Sequence, residues 1–104
     1  MNTKDVAEAL AHVYDPELGL DLISLGLIYG IESDLNRVHV EMTMTSRACP
    51  MGGAMLEAVA RLLHQRAPAA RIEVVPVFEP PWDVAMVNEE GRRWLGLPPR
   101  GPQA

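Results

Sequence analysis

Apolar positions recur along this chain with two distinct periods. Val6, Leu10, Val13 and Tyr14 return at helical spacing and predict a helix over Thr3–Tyr14, with Thr3 placed to cap it and Asp5 in its first turn. Asp15-Pro16 ends that helix, because proline pushes the residue before it out of the helical region. Residues 16–25 then read as a loop, with Gly19 and Gly26 as breakers. Leu27–Ile31 is a short apolar run that predicts a strand, and Asp34-Leu35-Asn36 predicts a turn. From Val38 to Thr45 the period falls to two. Val38, Val40, Met42 and Met44 take one face, and His39, Glu41, Thr43 and Thr45 take the other, as in a strand with one buried side.

The helical period returns over Pro50–Ala67. Pro50 suits the first helical position, Met51, Met55, Val59, Leu62 and Leu63 form an apolar stripe, and Glu57, Arg61 and Gln65 form a polar one. Arg71–Phe78 predicts a third strand, whose Pro76 belongs at a sheet edge or a bulge. Trp82–Val87 is a candidate short fourth strand beyond Pro80-Pro81, and Asn88 is placed to cap a last helix, Glu89–Leu95, closed by Gly96. The order helix–strand–strand–helix–strand–(strand)–helix predicts an α+β domain, a small mixed sheet of three or four strands with helices packed on it. Residues 1–97 are expected to form this single domain, and the proline-rich residues 98–104 a disordered tail.

Composition narrows the functional classes. The chain has 104 residues, enough for one core but not for a large enclosed site besides. A net charge of -5, with arginines scattered among acids, argues against a nucleic-acid partner. No apolar run approaches the ~18 residues of a membrane span, and the polar N-terminus does not read as a signal peptide. A lone cysteine forms no internal disulfide, so a cytoplasmic setting is expected, with no membrane partner.

That cysteine, Cys49, is the leading candidate for chemistry. It follows a strand and immediately precedes Pro50 at a helix start, where free amide groups and the positive end of the helix dipole lower a thiol pKa. A thiolate is both a nucleophile and a soft metal ligand; the alternative is a small buried apolar residue. Gly52 and Gly53 each cost the helix about 1 kcal/mol relative to alanine. They serve either the close approach of a ligand or partner, or tight packing of the helix on the sheet. The hydroxyls of Thr45 and Ser46 are placed to cap the helix or to hydrogen-bond a thiolate. Asp15, Glu17 and Asp21 form an acidic group suited to turn chemistry on a solvated loop, and alternatively to cation binding or proton transfer. His12, His39 and His64 lack the spacing of a zinc site.

Several short pieces then add up. They are Asp15-Pro16-Glu17, Asp21, Leu25-Gly26-Leu27-Ile28-Tyr29, Met42-Thr43-Met44-Thr45, Cys49-Pro50, Pro80-Pro81-Trp82 and Leu95-Gly96. In this order and spacing the chain resembles the SufT/PaaD-type iron–sulfur cluster assembly family over residues 3–97. The resemblance implies that Cys49 is the reactive, metal-ligating residue and that Asp15, Glu17, Thr45 and Ser46 gather around it. It also implies a role in metal–sulfur cluster biosynthesis. The chain ends at Ala104 without the cysteine-rich extension of the PaaD branch and so looks like the short, SufT-like form. Where many members read Thr-Thr-Pro before the cysteine, this chain reads Thr45-Ser46-Arg47-Ala48 and keeps a hydroxyl at Ser46.

An iron–sulfur cluster normally takes about four ligands, and one chain supplies one thiol. Any iron or cluster is therefore expected to be transient, shared with a client apoprotein, another assembly factor, an external thiol or the second subunit of a homodimer. Two rival classes stand beside this reading. One is an adaptor that recruits clients through the Met-rich helix and Pro80-Pro81-Trp82, with a structural Cys49; the other is a thiol hydrolase, for which no base or oxyanion donor pair can be placed.

Overall fold

The computed structural model describes residues 1–45 and 52–99. Cys49, Ser46, Pro50, Met51 and the tail from Arg100 onward, all named in the expectations above, lie outside the described residues. The elements are helix α1 (Thr3–Leu10), the one-turn helix α2 (Leu22–Leu25), strand β1 (Ile28–Ser33), strand β2 (Arg37–Met42), helix α3 (Gly52–Arg66), strand β3 (Arg71–Pro76), a 3-10 turn (Val84–Met86) and helix α4 (Glu89–Leu95).

The sheet is three-stranded and mixed, with β2 in the middle. β1 pairs with β2 as an antiparallel hairpin, and β3 pairs with β2 in parallel from Arg37↔Arg71 to Met42↔Pro76. The hairpin turn forms because the Asp34 carboxylate accepts the amides of Asn36 (2.8 Å) and Arg37 (2.9 Å). Pro76 closes an edge strand, where its missing N–H is tolerated.

One face of the sheet carries the core. Val38, Val40 and Met42 are fully buried there beneath α1, which supplies Val6 and Leu10, and α3, which supplies Met55, Val59 and Leu63. Leu22, Leu25 and Leu27 close the same cluster from the α2 side. Burying a side chain of this size contributes about 1.5–3 kcal/mol, so this face dominates the stability of so small a domain.

Several boundaries differ from the sequence expectation. The α1 cap is Asn2, not Thr3: Asn2 accepts the Asp5 amide (2.8 Å) and Asp5 reaches back to the Asn2 amide (3.2 Å), closing a capping box. α1 also ends at Leu10, because Tyr14 is drawn into a bridge with Asp21 that shapes the loop between them. The stretch 16–25 expected as a loop contains α2, whose cap is Asp21. Ladder pairing in β2 stops at Met42, and Thr43, expected on the polar face, is buried. The candidate fourth strand is the 3-10 turn: Asp83 caps it by accepting the Ala85 amide (2.8 Å), and Val84 stays half exposed.

The opposite face of the sheet is polar. His39 lies between Glu73 (3.0 Å) and Glu41 (3.4 Å), and Glu73 also pairs with Arg37 (2.8 Å). The hydrogen bond to Glu73 is the largest influence on His39 and raises its pKa; the same bond lowers that of Glu73.

The C-terminal third is clasped to the α2–β1 turn. Trp82 donates its indole N–H to the Leu25 carbonyl (2.7 Å), Tyr29 donates its hydroxyl to the Pro80 carbonyl (2.8 Å), and the Asn88 amide donates to the Ser24 carbonyl (2.9 Å). Gly26 caps α2 at φ +75°, and a Cβ there would overlap the Met86 main-chain carbonyl.

Two predictions follow from these contacts. Gly26→Ala combines left-handed strain with a backbone clash and is expected to lower unfolding free energy by about 2–4 kcal/mol. Gly96→Ala, at φ +73° with nothing within 4 Å of its Cβ among the described residues, is expected to lose only about 1–2 kcal/mol. Equal losses in urea unfolding would show that the Met86 contact is not close. For the polar face, a raised His39 pKa means that the folded state holds the proton more tightly. The stability it contributes is complete below about pH 6.5 and disappears as pH rises through the folded value. The gap in urea midpoint between wild type and His39→Gln is therefore expected to be wider at about pH 5.5 than at about pH 8.5; a constant gap would contradict the pairing.

Candidate functional site

A parallel pair of strands requires a crossover, and here α3 provides it between β2 and β3. The helix runs back against the strand direction, so its N-terminus faces the carboxyl edge of β2 and β3. In parallel units this edge is where ligands collect, because strand ends and free helix amides converge there. The connection from β2 to α3 spans residues 43–51, and Cys49 lies within it, three positions before the first described residue of α3.

No acidic residue stands in the first turn of α3 to offset the positive end of the helix dipole. Gly53 is exposed, and a Cβ added there would meet nothing within 4 Å among the described residues. Tight packing of the helix on the sheet therefore does not explain Gly53. Open access to the helix start remains as the reason to tolerate a residue of poor helix propensity.

Around the same edge the chain is densely tied. The Val77 amide donates to the Met42 carbonyl (2.8 Å) and the Thr43 amide to the Leu27 carbonyl (2.8 Å). A groove of about 590 Å³ opens beside it, lined by Tyr29, Val77, Pro80 and Met86, with the carboxylates of Glu41 and Glu79 also in the lining. Nothing in the sequence pattern marked these two glutamates, because they become neighbours only through strand pairing and the chain's return at residues 77–80.

The other residues named from the sequence divide by environment. Asp15 is buried and accepts the amides of Glu17 (2.8 Å) and Leu18 (3.0 Å), so one of its oxygens holds the shape of its own loop. Asp21 caps α2 by accepting the Ser24 amide (3.0 Å). Glu17 is exposed and Thr45 half-buried. No side chain of Asp15, Glu17 or Thr45 hydrogen-bonds to the side chain of another among the described residues, and no three His, Cys, Asp or Glu among these are grouped to hold a metal ion. Tyr14, read as part of the α1 stripe, is 58% exposed and faces a second groove together with Trp94.

Comparison with known proteins identifies the family. A family model described as iron–sulfur cluster assembly protein matches residues 3–74. The Fe-S protein maturation auxiliary factor YitW of Bacillus subtilis is 33% identical over 95 residues, covering 90% of this chain and 93% of that one. The Fe-S protein maturation auxiliary factor SufT of Staphylococcus aureus is 38% identical over 86 residues, covering 82% and 98%. A crystal structure of a domain of unknown function from Bacillus anthracis superposes with a TM-score of 0.84 at 36% identity, covering 91% and 92%.

The exposed glycine at the start of α3 makes a prediction that separates folding from function. Gly53→Ala is expected to stabilise the protein by about 0.5–1 kcal/mol, seen as a higher melting temperature, while lowering activity in a client-maturation assay. A stabilised variant with undiminished activity would show that the glycine is not there for access.

Proposed function

Because the chain belongs to the iron–sulfur cluster assembly protein family, we propose that it serves the maturation of iron–sulfur proteins through the thiolate of Cys49. The observation that carries this reading is the start of α3, three positions after Cys49 in sequence, at the carboxyl edge of β2 and β3, with no acidic residue in its first turn and an exposed Gly53. Free amides at such a position favour the ionised thiol, the form that binds iron.

Iron or a cluster is cargo here, not a resident group. One thiol is far short of the four ligands a cluster takes, so the remaining ligands come from a client apoprotein, an assembly partner or a second subunit. That shortage is useful in a transfer factor: weak holding by one sulfur lets a client with more thiolates take the cargo over. Asp15 acts as a positioning residue, fixing the loop that presents the exposed carboxylate of Glu17. Thr45 and Ser46 offer hydroxyls to the thiolate, and Glu17 is a proton acceptor for the thiol. Residues 1–97 act as one domain, and the setting is the cytoplasm; no helix among the described residues is long and apolar enough to cross a membrane.

The adaptor alternative is weakened at one of its two surfaces. Trp82 is half-buried with its N–H bonded to Leu25, and the Pro80 carbonyl is taken by Tyr29, so this segment braces the fold.

Cys49→Ser is expected to reduce client maturation at least tenfold while leaving unfolding free energy within about 0.5 kcal/mol of wild type. In the wild type, alkylation by iodoacetamide is expected to titrate with a midpoint below the ~8.5 of a free thiol. A thiol that resists alkylation in the folded protein, or a serine variant with full activity, would overturn the mechanism.

A further inference from the structure

A second groove, of about 530 Å³, lies between the α1–α2 loop and α4 and shares no described lining residue with the groove beside the β2 edge. Two aromatic side chains stand at it, Tyr14 at 58% and Trp94 at 67% exposure. A single exposed aromatic needs no explanation, but two converging on one concavity mark a binding surface. Neither the Tyr14 hydroxyl nor the Trp94 indole N–H has a hydrogen-bond partner among the described residues, in contrast to Trp82.

The groove is built on firm walls. On one side the buried Asp15 carboxylate fastens the loop, and the Gly19 amide closes it on the Asp15 carbonyl (2.9 Å). The Trp94 ring rests over that turn: a Cβ on Gly19 would lie 3.8 Å from its indole nitrogen. On the other side α4 is capped by Asn88 and anchored through the buried Arg92, which donates to the Pro98 (2.6 Å) and Val84 (2.8 Å) carbonyls.

Charge selects the occupant. Asp21 and Glu90 line the groove, and the exposed Glu17 and Glu89 belong to the same loop and helix, against Arg92 and Arg93. Arg92 is turned inward, which leaves the outer surface acidic. Aromatic faces beside carboxylates suit a guanidinium group: the rings attract it through their π-faces, and carboxylates accept its hydrogen bonds in bidentate fashion. Arg93, the lining cation, disfavours a run of basic residues and leaves room for one.

We propose that this groove docks an extended segment of a partner protein through a single arginine, its guanidinium held between Tyr14 and Trp94 and paired with Glu90 and Asp21. The proposal calls on no thiol chemistry, so docking is predicted whether or not the Cys49 mechanism holds.

The test is a titration of the ¹⁵N-labelled full chain with a capped glycine–serine peptide carrying one central arginine, beside the same peptide with glutamate in its place. The arginine peptide is expected to shift the Trp94 indole signal and the Tyr14 and Gly19 amides saturably, with a Kd between about 0.1 and 5 mM, and the glutamate peptide to leave them unmoved. Trp94→Ala and Glu90→Gln, both on the exposed face of α4, are each expected to weaken binding about fivefold or more, and added salt to weaken it further. Absence of a saturable shift up to about 10 mM peptide would overturn the proposal. An equal response to the glutamate peptide would also overturn it, by assigning the groove to Arg93. Movement of the same signals on concentrating the protein alone would overturn it in favour of a second copy.

Discussion

The parallel pairing of β2 with β3 is the constraint from which the rest of the structure follows. An antiparallel neighbour needs only a tight turn, as β1 shows. A parallel one requires a crossover long enough to traverse the sheet, and that demand places α3 over one face. The helix covers Val38, Val40 and Met42, leaves His39 and Glu41 on the open face, and brings its own N-terminus to the carboxyl edge of the strands. Core, polar face and candidate site are thus consequences of one pairing.

Much of this was legible in the residue pattern. Alternation across Val38–Met44 identified the buried face correctly, because a strand with one covered side has no other way to sort its side chains. Asn88, Gly96 and Asp34 performed the capping and turn roles their chemistry suggested. Where the pattern misled, a longer-range contact prevailed. Thr43 alternates as a polar position, yet its amide is drawn to the Leu27 carbonyl and the residue is buried. Tyr14 has helical spacing, yet its bridge to Asp21 takes it out of the helix. The β-like run at Val84–Met86 winds into a turn because the Asp83 side chain offers its amides a nearer acceptor than any strand does.

The candidate site was only half legible. Cys49 and the two glycines can be read from composition and position, because helix starts and thiol chemistry are local matters. The grooves cannot. Glu41 and Glu79 come to line one groove, and Tyr14 and Trp94 another, from distant parts of the chain, and no short-range spacing records either convergence.

The motif pieces that carry the family resemblance turn out to do unequal work. Trp82, Tyr29 and Gly26 hold the C-terminal third against the α2–β1 turn through hydrogen bonds and close backbone contact. The Asp15 oxygen with assigned partners is occupied by two amides of its own loop. Residues whose polar atoms are already satisfied within the fold are poorly placed to exchange partners with a ligand, so their requirement is architectural. Gly53 is of the opposite kind: a Cβ there would meet nothing within 4 Å among the described residues, and the glycine weakens its helix, which is hard to reconcile with a packing role. The described residues therefore concentrate their ties at the carboxyl edge of β2 and β3, and among them none packs against a Cβ at Gly53. The proposed transfer role asks for the same division, since a site walled in by further ligands would hold its cargo rather than release it.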